Sequence, residues 1–102
     1  MSQFLKELTD KLHATNGYQK LPGGLIIQWG RVDAVVAGSS SAVTFPIPFP
    51  AALLNQQATI LNTGGQSAAM SAGCNTGNVN GMSVFHNGNT TPTAIAWVAI
   101  GY

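Results

Sequence analysis

Two hydrophobic periods divide the chain. Over residues 2–15 the apolar Phe4, Leu5, Leu8 and Leu12 recur at spacings of three and four, which predicts a short amphipathic helix with Glu7 and Lys11 one turn apart. Asn16-Gly17 is its stop signal. A helix this short is marginal alone in water, so its stripe needs a partner. That partner is either the domain's own core or the same leucines of other chains at the end of a coiled coil. Beyond Pro22 the pattern changes to short β-like runs, near 25–29, 32–37, 42–45, 57–61, 68–72, 82–86 and 94–100, separated by Gly, Asn, Ser and Pro. Asn80-Gly81 and Asn87-Gly88 read as hairpin dipeptides, because both residues tolerate positive φ. Pro46, Pro48 and Pro50 cannot donate within a central ladder, so they mark an edge or a connection. The expectation is one all-β, sandwich-like or barrel-like domain over residues 17–102, preceded by a short helix within 1–16.

The last run has an unusual alternation. Ile95, Trp97 and Ala99 point one way and Val98, Ile100 and Tyr102 the other, so both faces of one strand are apolar. A chain of 102 residues has little core with which to cover both. The C-terminal strand is therefore expected at a subunit interface.

Charge narrows the classes of function. Four basic and three acidic side chains are present, and all stand at or before Asp33; from Ala34 to Tyr102 there is no Asp, Glu, Lys or Arg. Nucleic-acid binding needs a basic stripe to neutralise phosphates, and the body of the chain offers only Lys20 and Arg31. No run approaches the ~20 apolar residues of a membrane span, so no membrane insertion is expected. The charged N-terminus has no apolar stretch of the secretory kind. Cys74 has no partner for an internal disulfide and no neighbouring cation to activate it.

Three blocks then resemble a known family: Leu21-Pro22-Gly23-Gly24-Leu25-Ile26-Ile27-Gln28-Trp29-Gly30, Phe45-Pro46-Ile47-Pro48-Phe49-Pro50, and the terminal Trp97-Val98-Ala99-Ile100-Gly101-Tyr102. Their order and spacing are similar to the C-terminal receptor-binding domain of tail fibres from contractile-tailed bacteriophages and prophages, including Mu-like host-range fibres. The resemblance covers roughly Gly17 to the end. It implies an intertwined homotrimer at the tip of a virion's tail fibre, made in the bacterial host cytoplasm. It further implies binding to a cell-surface receptor, commonly a lipopolysaccharide glycan, and frequent use of an assembly chaperone. On that reading the leucine stripe is the last piece of a fibre shaft. The residues themselves agree on one point: amides, hydroxyls and aromatic faces, the chemistry left after Ala34, are what neutral glycans require.

Candidate receptor-binding residues are the polar ones of the middle and late loops: Asn75, Thr76, Asn78, Asn80, His86, Asn87 and Asn89. Taken singly, each is equally a turn former. Trp29 and Trp97 lie inside apolar runs, where packing outweighs sugar stacking. No enzyme is expected, since glycoside hydrolysis needs two carboxyl groups and the body holds only Asp33. No cofactor or metal is expected either. His86 precedes an Asn-Gly pair and reads as an exposed loop histidine, although three copies on a trimer axis would make a three-nitrogen metal site. The alternative to a receptor-binding tip is a structural module that registers three fibre chains without touching a receptor.

Overall fold

The computed structural model describes residues 11–36, 38–61, 71–75, 77–87 and 93–102. Their strands, in chain order, are β1 (Lys11–Leu12), β2 (Gly17–Lys20), β3 (Ile26–Val35), β4 (Ser40–Thr44), β5 (Leu53–Leu61), β6 (Ser71–Cys74), β7 (Gly81–Asn87) and β8 (Thr93–Gly101). They form a five-stranded sheet, β1-β2-β3-β8-β5, and a three-stranded sheet, β4-β7-β6, with every neighbouring pair antiparallel. The all-β, sandwich-like architecture read from the sequence is the one observed.

The core lies between the sheets. Ile26, Val35, Ile95, Trp97 and Ala99 come from the larger sheet, Val43, Met82 and Val84 from the smaller, and Phe45 and Phe49 from the proline segment. Phe45 sits 5.3 Å from the Phe49 ring and 5.6 Å from the Trp97 ring, centroid to centroid, within the range of favourable aromatic pairs. The proline segment has few backbone donors, and Gln28 supplies what a neighbouring strand would have. Its fully buried amide donates from Nε2 to Ile47 O (2.8 Å) and accepts from Ile47 N at Oε1 (3.1 Å).

Glycines at three register positions are covered by aromatic rings from the opposite strand. A Cβ on Gly30 would lie 2.4 Å from Trp97, one on Gly73 2.8 Å from Phe85, and one on Gly17 3.0 Å from Trp29. Gly30 therefore does not interrupt a strand, as its place between two expected runs implied; β3 continues through it because Trp97 needs the space. Past Gly30, an extra residue between Val32 and Val35 makes a β-bulge, with Ala34 at φ 56. The bulge turns Val35, and not Ala34, into the core.

The expected helix requires correction over its described part. Residues 1–10, with Glu7 and the first three apolar positions of the stripe, lie outside the described residues, but Lys11–Leu12 is a strand paired to Gln19 and Tyr18 and not a helical turn. The competing interaction is tertiary. Trp29 Nε1 donates to Ala14 O (2.9 Å), and Arg31 N donates to Asn16 Oδ1 (3.0 Å), which binds the β1–β2 turn over β3. Strand β5 begins at Leu53, four residues before the expected run at Gln57. Of the expected run over 68–72, residues 68–70 lie outside the described residues, and Ser71 and Ala72 belong to β6.

Register also defines two ends. Lys11, Lys20, Ile26, Thr44, Leu53, Cys74, Gly81 and Gly101 gather at one, here termed the base; Val35, Ser40, Leu61, Ser71, Asn87 and Thr93 gather at the other, the far end. β1 runs from the base towards the far end.

Candidate functional site

Each sheet has one face in the core and one outside, and the two outer faces differ in kind. On the larger sheet the outer face carries Ile27 and Trp29 of β3 beside Ala96, Val98 and Ile100 of β8, flanked by Gln57 and Thr59 of β5. Towards the base it ends in the exposed Leu25 (36%), Leu54 (57%) and Tyr102 (47%). A shallow trough of about 230 Å³ runs along it, bordered by Gln57, Thr59, Ala96 and Val98. β8 is thus apolar on both sides, as its alternation indicated.

The outer face of the smaller sheet is uncharged, and its polar groups are the hydroxyls of Ser40, Thr44 and Ser83, set among small residues and one phenyl ring. The register sets Ala42 and Thr44 of β4 beside Gly81, Ser83 and Phe85 of β7, and Phe85 beside Gly73 of β6. At the base end of this face lies a depression of about 370 Å³, edged by Thr44, Asn78, Asn80 and Ser83. The loop that forms its rim is fixed by its own backbone. Asn75 N donates to Ser83 O, Asn78 N to Gly81 O, Phe45 N to Asn80 O and Phe49 N to Val79 O, each at 2.9 Å. Asn78 Oδ1 accepts from Asn80 N (2.8 Å) and Gly81 N (3.2 Å), and this side-chain cap shapes the turn. The half-buried Gln56 amide ties the same loop to β5, donating to Asn75 O (2.5 Å) and accepting from Gly77 N (3.3 Å). Burial pushes the Cys74 thiol above its ordinary pKa, and a hydrogen bond with the Gln56 side chain draws it part of the way back.

The candidate residues divide accordingly. Asn75, Asn78 and Asn80 are exposed and sit together at the base end of the polar face, the latter two on the depression. Thr76 and Asn89 lie outside the described residues. Asn87 closes β7 at the far end, paired with Ser71. His86 needs correction: it is not an exposed loop residue but fully buried, with Nε2 donating to Val35 O (2.5 Å). Since its ring lies between the domain's own sheets, three copies cannot meet on an axis to hold a metal ion. The Asn80-Gly81 pair also differs from expectation, since neither residue has positive φ; the Asn78 side chain makes the turn instead. Thr44, Ser83 and Phe85 were missed. The signal was present in the alternation of Gly81, Ser83 and Phe85 against Met82, Val84 and His86, which also places His86 in the core.

The family model described as "Putative tail fiber protein gp53-like, C-terminal" matches residues 20–102. The chain belongs to this family. Among solved structures, the gp53-like chain is similar to an N-truncated R2-type pyocin tail fibre, with a TM-score of 0.81 and 25% identity over 90% of this chain and 36% of that one. A second structure of the R2 pyocin fibre, from P. aeruginosa, matches with a TM-score of 0.81 and 25% identity over 90% of this chain and 25% of that one. An N-truncated R1-type pyocin tail fibre matches with a TM-score of 0.75 and 27% identity over 90% of this chain and 84% of that one. The gp53-like chain thus spans about a third of the length of the first of these fibres. No curated protein matches it in sequence.

The three blocks that carried the family resemblance meet in space at the base of the gp53-like fold. Gln28 of the first block holds Ile47 of the second, and Ile26 pairs with Gly101 of the third. A Cβ on Gly101 would lie 2.7 Å from the Phe49 ring. The family motif is thus a packing unit that holds the base together. Among the described residues Asp33 is the one side-chain carboxylate, and it pairs with Arg31 at 2.7 Å on the exposed flank of β3.

Proposed function

We propose that this domain is the receptor-binding tip of a phage or phage-like tail fibre, acting as a homotrimer that recognises a glycan of the bacterial surface, such as lipopolysaccharide, without catalysis. The observation that carries the reading is the contrast between the two outer faces. The apolar face of the larger sheet requires cover, and three copies of the same strand provide it around one axis. The polar face of the smaller sheet then points outward three times over. Its amides, hydroxyls and single phenyl ring suit sugar hydroxyls and C–H faces, and three weak contacts gain avidity together. An apolar face left wet until three chains meet is also what an assembly chaperone would shield.

Saturable binding of the labelled protein to at least one strain in a bacterial panel is expected, with loss of that binding after periodate oxidation of the surface sugars. Binding to no strain, or binding that periodate leaves intact, would contradict the proposal.

A second reading, a registration module within the fibre, draws support from the exposed Leu25, Leu54 and Tyr102 at the base, the end at which β1 begins. An apolar rim there suits contact with preceding fibre. On that reading the domain binds no cells on its own but shortens or abolishes assembly of longer fibres when Leu54 is made polar.

A further inference from the structure

The depression at the base end of the polar face has properties that limit what fits it. Its hydroxyls and amides come from Thr44, Asn78, Asn80 and Ser83, and Val43, Met82, Gly77 and Gly81 complete the lining. At about 370 Å³ it falls within the size range of small-molecule sites. Both glycines sit at close backbone approaches that fix this wall: a Cβ on Gly77 would lie 2.5 Å from Gly81 O, and one on Gly81 2.1 Å from Val43 O. The rim is already ordered. Asn75, Asn78, Val79 and Asn80 have their backbone groups committed to Ser83, Gly81, Phe49 and Phe45, and Gln56 holds the loop from behind. A ligand therefore meets fixed polar groups and spends little on ordering them.

Electrostatics decide the class of ligand. No Asp, Glu, Lys or Arg occurs anywhere from Ala34 onwards, so every group lining the depression and all their sequence neighbours are uncharged. A phosphate, carboxylate or ammonium there would meet no counter-charge from the groups that line it. Asn78 Oδ1 is engaged by two backbone donors, which turns that amide's remaining capacity to donation, while Thr44 and Ser83 both donate and accept. Such a set matches a sugar hydroxyl pair better than any ion.

We infer that this depression is a subsite for one neutral, hydroxyl-rich sugar unit, bound by Thr44, Asn78, Asn80 and Ser83 without any ionic contact. The inference rests on the receptor-binding reading above and adds to it the place and the charge class of the ligand. It makes binding insensitive to salt, because screening acts on charge pairs and none is formed.

The test uses the whole chain in its native assembly, labelled and applied both to the bacterial panel and to an array of neutral and anionic bacterial oligosaccharides. Thr44→Val with Ser83→Ala removes two hydroxyls at little change of volume, and loss of two neutral hydrogen bonds predicts about tenfold weaker binding. Asn80→Ala is the second variant; it keeps the backbone bond to Phe45 N and serves if the first does not fold. The expected result is binding to neutral oligosaccharides that is unchanged between about 0.05 and about 0.5 M salt and weakened in both variants. Wild-type affinity in folded variants would overturn the subsite while leaving receptor binding intact. Binding confined to anionic oligosaccharides, or falling steeply with salt, would overturn the charge class. A wild-type protein that binds neither cells nor sugars would remove the receptor reading, and the subsite with it.

Discussion

Gln28 is the polar side chain on which the base of the domain depends most. Pro46 and Pro48 flank Ile47, whose N–H and C=O both end on one buried amide. Gln28→Ala leaves those two backbone groups unpaired in a space that water enters poorly, and a loss of about 2–4 kcal/mol in unfolding free energy is expected by denaturant titration. Gln28→Glu removes the donor to Ile47 O and buries a charge, so it should be at least as harmful. Cys74 gives a second expectation at this scale. Burial raises its pKa, so at a given pH less of the thiol is thiolate, the form that reacts. Alkylation by iodoacetamide at mildly alkaline pH should be slower for the folded protein than for the same protein in denaturant, and equal rates would contradict the raised pKa. At the candidate site, residue-level reading found Asn75, Asn78 and Asn80 because polar loop residues stand out in a charge-free chain. It could not find Thr44, which is 34 residues from Asn78 and reaches it only through the pairing of β4 with β7.

Strands were legible where their faces differ or where both are apolar, and illegible where pairing overrides local preference. β8 declared itself through its alternation, and the proline segment through its missing donors. The leucine spacing of residues 4–12 read as helix, yet at Lys11–Leu12 the backbone pairs with β2, since the turn between them is held by the Trp29 and Arg31 bonds of β3. Local periodicity carries no information about such partners. Gly30 was read as a break for a similar reason: its meaning lies in Trp97 across the ladder. Gly30→Ala should therefore destabilise the domain by about 1–3 kcal/mol, as overpacking does, and a paired Trp97→Leu change should return part of that loss in a double-mutant cycle. The β3 bulge gives the opposite sign. Ala34 holds φ 56, a region costly for a residue with a Cβ, so Ala34→Gly should raise the melting temperature, by the equivalent of about 0.5–1 kcal/mol. A lowered melting temperature would show that the bulge is not strained as described.

The whole molecule is a small sandwich with unequal outer faces. Among the described residues ten apolar side chains are buried in its core, while Ile27, Trp29, Val98 and Ile100 are only half-buried on the far side of the same sheet. Contact with other copies would remove that surface from water at roughly 25 cal/mol per Å² of apolar area. The far side of the smaller sheet stays free of charge and polar, so one assembly would hide the first face and present the second. The chain's own subunit mass, 10.5 kDa, makes this simple to test. Sedimentation equilibrium of the purified protein at micromolar concentration should give a single species of three times that mass, and Val98→Asp with Ile100→Asp should lower it towards one. A folded, stable species of 10.5 kDa from the unaltered chain would contradict the account.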